Sequence, residues 1–136
     1  MSYFLLKTEP GEYSFADLLR EGETAWDGVT NNLALKHLKT MKVNDKCLIY
    51  HTGDEKAVVG IAIVTRDPYP DPKINDPKIL VVDVKPLRQL KNPVSLARIK
   101  EVKELRNFEL VRLPRLSVMP VPAAIWHLII QLSEKE

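Results

Sequence analysis

Lys46-Cys47-Leu48-Ile49-Tyr50-His51-Thr52-Gly53-Asp54-Glu55-Lys56-Ala57-Val58-Val59-Gly60-Ile61-Ala62-Ile63-Val64 is the stretch on which the fold turns. Two apolar, β-branched runs, Lys46 to His51 and Ala57 to Val64, flank the polar turn Thr52-Gly53-Asp54. Such runs around a short glycine-containing turn predict a β-hairpin, the clearest in the chain.

Downstream, Pro68, Pro70, Pro72 and Pro77 punctuate a loop too rich in proline for a central strand, because proline brings no N–H to the ladder. Ile79 to Val84 predicts another strand, continuing toward Leu90. Ser95 caps an expected helix through Val102, and Leu116 to Val118 predicts a last strand. Pro122, at a helix N1 position, opens a C-terminal helix with Ile125, Leu128, Ile129 and Leu132 on one face.

Upstream, Tyr3 to Glu9 predicts a first strand that ends in the turn Glu9-Pro10-Gly11. Ser14 with Asp17 predicts a capped short helix covering Phe15, Leu18 and Leu19, stopped by Gly22. Trp26-Asp27-Gly28-Val29 reads as a loop or bulged strand. It leads into a second helix capped by Asn31 or Asn32, with Leu35, Leu38 and Met41 on one buried face. The expected class is α+β: a bent antiparallel sheet or small open barrel flanked by short helices, forming one domain over residues 1–136.

Composition narrows the function. With 45% hydrophobic and 28% charged residues, the chain has the balance of a globular protein. No apolar run reaches the roughly 20 residues that span a bilayer, and no signal peptide is evident, so an intracellular, cytoplasmic setting without a membrane partner is expected. A single cysteine, Cys47, agrees with a reducing compartment. The net charge is only +2, yet Lys85 to Arg115 holds nine Lys or Arg against three Glu, while the first 84 residues hold ten basic against thirteen acidic side chains. That asymmetry fits either one basic face toward phosphate or a solvated charged helix.

Catalytic motifs are missing. The five glycines form neither a P-loop nor a dinucleotide fingerprint, so no cofactor is expected. His37, His51 and His127 lie far apart with no second cysteine, which argues against a zinc site. No serine sits in a nucleophile elbow, and Cys47 lies within an apolar strand.

Lys7-Thr8-Glu9-Pro10, Tyr13-Ser14 and Trp26-Asp27-Gly28-Val29 with Asn31 occur in order. They are followed by Tyr50-His51, Val59-Gly60-Ile61-Ala62, Tyr69-Pro70-Asp71-Pro72, Pro93-Val94-Ser95-Leu96, Leu110-Val111-Arg112 and Arg115-Leu116-Ser117-Val118. This colinear set resembles the EVE domain family of the PUA-like superfamily, remotely similar to YTH domains, from Tyr3 to about Trp126. The resemblance implies a PUA-like β-barrel with a concave pocket for a single, modified base of RNA or DNA. It implies pocket roles for Lys7, Trp26 and the segment Asp27, Thr30, Asn31 and Asn32. Tyr50 and His51 lie where the family lines the same mouth, as do the phosphate-facing Arg112 and Arg115. Tyr69 is the candidate second aromatic wall. A separately encoded effector is a further expectation for so small a domain. One departure stands out: many members follow the Trp-Asp-Gly-Val motif with Arg, Asn, Tyr, Gln, Ala, Arg. Here the series is Thr30, Asn31, Asn32, Leu33, Ala34, Leu35, so two arginines and a tyrosine are absent beside the pocket.

Physically such a pocket is reasonable, because an unstacked base regains about 1–3 kcal/mol by stacking on an aromatic face. Structural roles compete for each residue. Trp26 is a core tryptophan or a pocket wall, Lys7 a pocket group or a solvated strand end, and His51 a pocket group or a partner for a core carbonyl. Asn31 and Asn32 are both good helix caps, and Arg112 and Arg115 are within sequence reach of Glu109 and Glu104. Trp126, Tyr3, Phe4 and Phe15 are assigned to the core. Two other functions compete with base binding: a small hydrolase using Asp27 with His51, and a metabolite- or peptide-binding module.

Overall fold

In a computed structural model of the chain, which describes residues 1–135, six strands form one curled sheet in the order β2-β5-β4-β3-β1-β6. Along the chain the elements are β1 (Tyr3–Thr8), α1 (Phe15–Glu21), β2 (Thr24–Trp26), α2 (Asn32–Lys39), β3 (Lys46–His51), β4 (Ala57–Pro70) and β5 (Leu80–Ser95). There follow α3 (Leu96–Glu101), a 3-10 turn (Lys103–Leu105), α4 (Glu109–Arg112), β6 (Val118–Pro120) and α5 (Ala123–Glu134). The arrangement is the expected α+β, PUA-like half-barrel with short helices around it.

The hairpin at the centre is β3–β4, antiparallel with Leu48 opposite Ile61 and Cys47 opposite Ala62. On its other side β3 pairs with β1 in parallel, Leu5 beside Leu48 and Leu6 beside Ile49. The sheet is therefore mixed rather than wholly antiparallel. A parallel pair needs a long crossover, and here α1, β2 and α2 supply it.

The proline-rich segment differs from expectation. β4 runs through Pro68 to Pro70, with Arg66 opposite Asp83 and Tyr69 opposite Val81, broken by register shifts. Beyond Ile63 β3 no longer pairs with β4, so the prolines sit where one edge has no ladder to complete. β5 likewise reaches Ser95, well past Leu90, and the last strand falls at Val118–Pro120 rather than Leu116–Val118.

Local signals were sharp at the helix ends. Ser14 accepts from the Asp17 N–H while Asp17 accepts from the Ser14 N–H, and Gly22 closes α1 with a left-handed φ of 83°. Within α1, Phe15 and Leu18 are buried but Leu19 is 45% exposed. Asn31 is the cap of α2, accepting from the Ala34 N–H at 3.0 Å, and Ser95 accepts from the Arg98 N–H.

The core is one continuous cluster of residues from the sheet, α1, α2 and α5. Phe15 lies flat on Gly60: a Cβ added there would sit 2.5 Å from the ring. Gly60 is thus a missing side chain that lets α1 approach β4. Trp126 of α5 stacks on Tyr3 with ring centroids 4.4 Å apart. Asn92 of β5 donates to the carbonyls of Ser133 and Lys135, tying down the end of α5. No helix among the described residues is long and apolar enough to cross a membrane.

Candidate functional site

The end of β1 with the β1–α1 connection, the last residue of α1 and the short edge strand β2 converge on a cleft of about 590 Å³. Its lining includes Lys7, Tyr13, Trp26 and Asp27, and Lys73 reaches in from the β4–β5 connection. That volume lies within the range of small-molecule sites. β2 hangs on β5 through Trp26 opposite Val82, which fixes the indole at the sheet's edge. Gly28, at φ 80°, then turns the chain toward α2 in a conformation that disfavours a side chain.

Trp26 is both things the sequence left open. It lines the cleft, yet it is only 6% exposed and belongs to the core cluster. Tyr13 meets it edge to face, with centroids 6.2 Å apart and planes at 84°. The Tyr13 hydroxyl donates to Glu21 Oε1 at 2.9 Å, and the Thr8 hydroxyl donates to the Tyr13 carbonyl at 2.6 Å. Burial, with Glu21 close by, pushes the Tyr13 phenol up to about 12.

Lys7 lies over the Tyr50 ring, 5.7 Å from its centroid, and donates to the Pro114 carbonyl at 2.9 Å. Its half-buried ammonium is held below the usual lysine value by desolvation. Asp27 pairs with Lys73 at 2.5 Å across 46 residues of sequence. Four carboxylates, Glu9, Glu12, Glu21 and Asp27, share the cleft with the two lysines, so its walls are net acidic.

A second depression, of about 330 Å³, is lined by Asn31, Leu33, Arg112 and the segment Leu113 to Leu116. It carries Arg112 and Arg115 and no carboxylate. Arg112 donates to the Asn107 carbonyl and approaches Glu109 at 3.4 Å. Arg115 makes no hydrogen bond or ion pair among the described residues. The two depressions adjoin through the Lys7–Pro114 hydrogen bond and through the three-residue step from Gly28 to Asn31.

Of the residues singled out from sequence, the fold brings Lys7, Trp26 and Asp27 to the cleft, and Asn31, Arg112 and Arg115 to the groove beside it. Thr30 and Asn32 are exposed and line neither. Tyr50 is buried beneath Lys7. His51 is buried as well: its Nε2 accepts from the Phe15 N–H at 3.0 Å and its Nδ1 faces Glu55 at 2.7 Å. It holds α1 to β3 and is not engaged with Asp27. Tyr69 lies under the Arg66 guanidinium, 3.7 Å away, and bonds Asp83, outside the cleft. The aromatic ring beside Trp26 is Tyr13, which the Tyr13-Ser14 motif contains but to which the sequence assigned no role. Lys73 was likewise assigned no role from the sequence.

A model of the EVE domain matches residues 2–132. The chain belongs to the EVE domain family. Human thymocyte nuclear protein 1 is 28% identical over 99% of this chain and 75% of its own length. A solution structure of an EVE-family relative from Rhodopseudomonas palustris is similar at 37% identity, with a TM-score of 0.93 over 98% of this chain and 93% of that one. The crystal structure of human THYN1 in complex with 5-methylcytosine-containing DNA is similar at 28% identity, with a TM-score of 0.92 over 100% and 99% of the two chains.

Proposed function

We propose that this EVE domain is a non-catalytic binding module that takes a modified base of a nucleic acid into the Tyr13–Trp26 cleft. The observation that carries the reading is the whole-length likeness to human THYN1, a protein solved in complex with 5-methylcytosine-containing DNA. Methylated cytosine in DNA is therefore the first ligand to try, with RNA as the comparison. Trp26 is too enclosed to offer a full face. In this reading it gives the base an edge and a floor, while Tyr13 and the stem of Lys7 give the sides.

The charge pattern supports a division of labour. Phosphate is repelled by four carboxylates, so the acidic cleft suits the uncharged base and the arginine groove beside it suits the backbone. Arg115, exposed and without a hydrogen bond or ion pair among the described residues, is the cation with most to gain. A hydrolytic role for Asp27 with His51 has little support, because His51 is already committed to Phe15 and Glu55.

Fluorescence anisotropy with labelled oligonucleotides, with and without 5-methylcytosine and at several salt concentrations, tests the reading. Saturable binding that favours the methylated strand and weakens with salt is expected. Arg115→Ala is expected to weaken binding to all sequences alike and to reduce the salt slope by about one. No saturable binding at any salt by a folded protein refutes the reading. Binding that ignores salt points instead to a small uncharged ligand.

A further inference from the structure

The groove beside the cleft has a feature that phosphate binding leaves unused. Two of the seven large hydrophobic side chains that stand exposed among the described residues, Leu33 at 42% and Leu113 at 36%, line this one depression. A lone exposed leucine is ordinary, but two that share a depression form an apolar surface with room for a partner. Leu33 comes from the first turn of α2 and Leu113 from the end of α4, so elements far apart in sequence build it together. The Leu116 N–H donates to the Leu113 carbonyl at 3.0 Å, and this turn brings Pro114 and the buried Leu116 into the lining. Leu33 also belongs to the segment in which this chain departs from its family, standing where many members carry glutamine.

Charge, continuity and size point to the occupant. The groove holds two arginines and no carboxylate, which suits a partner that carries an anion. Arg112 is partly engaged by Asn107 and Glu109, whereas Arg115 makes no hydrogen bond or ion pair among the described residues. Lys7 of the cleft donates to the carbonyl of Pro114 in the groove at 2.9 Å, so a strand whose base enters the cleft brings its next nucleotide to the groove. The volume of about 330 Å³ is at the low end of small-molecule sites, enough for one nucleoside. A base drawn out of its stack also leaves its neighbour with a bare face, which an apolar wall can cover.

We propose that the groove is a second nucleotide subsite, in which Leu33, Leu113 and Pro114 cover the face of the base adjacent to the one in the cleft while Arg115 holds the phosphate between them. The inference rests on the base-binding reading and extends it from one base to a two-nucleotide step. Contact through an apolar face rewards area, so adenine gains more than thymine at this position and an abasic residue gains nothing.

The test uses single-stranded oligonucleotides with 5-methylcytosine fixed at a central position. The nucleotide on its 5′ side, or on its 3′ side, is adenine, thymine or an abasic residue that keeps the phosphate. Anisotropy titrations at several salt concentrations compare wild type with Leu33→Gln/Leu113→Gln and with Arg115→Ala, each first shown by thermal unfolding to be folded. On one of the two sides, wild type is expected to favour adenine over the abasic residue by about five-fold, the lower end of what covering one base contributes. In the double leucine variant that ratio should shrink to about two-fold or less with the salt slope unchanged. Arg115→Ala should keep the ratio while lowering the salt slope by about one. Ratios within about two-fold on both sides in wild type refute the subsite while base binding stands. A full ratio in the double leucine variant, or a loss equal on all strands including the abasic ones, overturns the role given to the leucines. If no oligonucleotide binds saturably, the base-binding reading falls and this inference with it.

Discussion

Truncating Trp26 tests whether one side chain serves both the core and the cleft. The indole is 6% exposed, belongs to the central apolar cluster, and meets Tyr13 edge to face. Trp26→Ala removes nearly all of that burial and leaves a void at the sheet edge, a change that costs about 3–5 kcal/mol in comparable cores. The lost ring pair accounts for about 0.5–1.5 kcal/mol of this. Against a total stability of about 5–15 kcal/mol, the variant should stay folded when cool but melt early. For a domain of this size the midpoint should fall by roughly 10–20 °C. Near-ultraviolet circular dichroism on heating reads that shift, with urea unfolding to check that the slope is unchanged. Binding is then compared well below both midpoints, where both proteins are folded, and is expected to be lost in the variant. Trp26→Phe keeps a ring for Tyr13 to meet and should lose less than half as much stability. A midpoint within about 2 °C of wild type for Trp26→Ala would refute the structural role. Unchanged binding per folded molecule would refute its place in the site.

Two further outcomes follow from the packing and the titration behaviour around the cleft. Gly60→Ala should destabilise by about 1–3 kcal/mol, because its Cβ would press on the Phe15 ring and lift α1 from β4. A neutral result in urea unfolding would show that α1 does not rest on this contact. Tyr13, with its phenol raised to about 12 from a reference of 10.0, stabilises the fold in its neutral form. That stabilisation is complete below pH 10 and is lost as pH rises through about 12, so wild type should lose stability over this window more steeply than Tyr13→Phe. Parallel curves for the two proteins would show that Tyr13 is not linked to folding.

What the sequence disclosed, and what it hid, divides by the reach of each interaction. The capped start of α1, the Ser95 cap and the β3–β4 hairpin are settled within a few residues, and each was legible; the cap of α2 was narrowed to Asn31 or Asn32, and the fold uses Asn31. The parallel pairing of β1 with β3 joins segments some forty residues apart, and hydrophobic patterning carries no strand direction. β4 was cut short for a different reason. Proline was correctly read as unfit for a central strand, but a strand that is central at Leu48–Ile61 becomes an edge by Pro68, and only the assembled sheet reveals that. At the cleft, Lys7 and Trp26 were recognisable through the family's motifs. Tyr13 and Lys73 were not, since the first is defined by its angle to Trp26 and the second by an ion pair spanning 46 residues.

The charge asymmetry along the chain gains a spatial meaning from the fold. All residues lining the cleft come from positions 7 to 28 and from Lys73, within the acidic first 84 residues, whereas both arginines of the adjoining groove come from the basic stretch Lys85 to Arg115. The fold sets the two side by side, and Lys7 links them: it lines the acidic cleft while its ammonium donates to the carbonyl of Pro114 in the groove. A uniformly basic pocket would hold any phosphate, whatever base it carried. With an acidic cleft next to a basic groove, a strand gains from the arginines only if its phosphates stay outside the cleft, which leaves the base as the part that can enter. Under the proposed function, phosphate contacts at the groove would supply affinity without diluting selectivity at the cleft. The absence of arginines from Thr30 to Leu35 fits the proposed function, which gives the phosphate contacts to the arginines at positions 112 and 115 of the same groove.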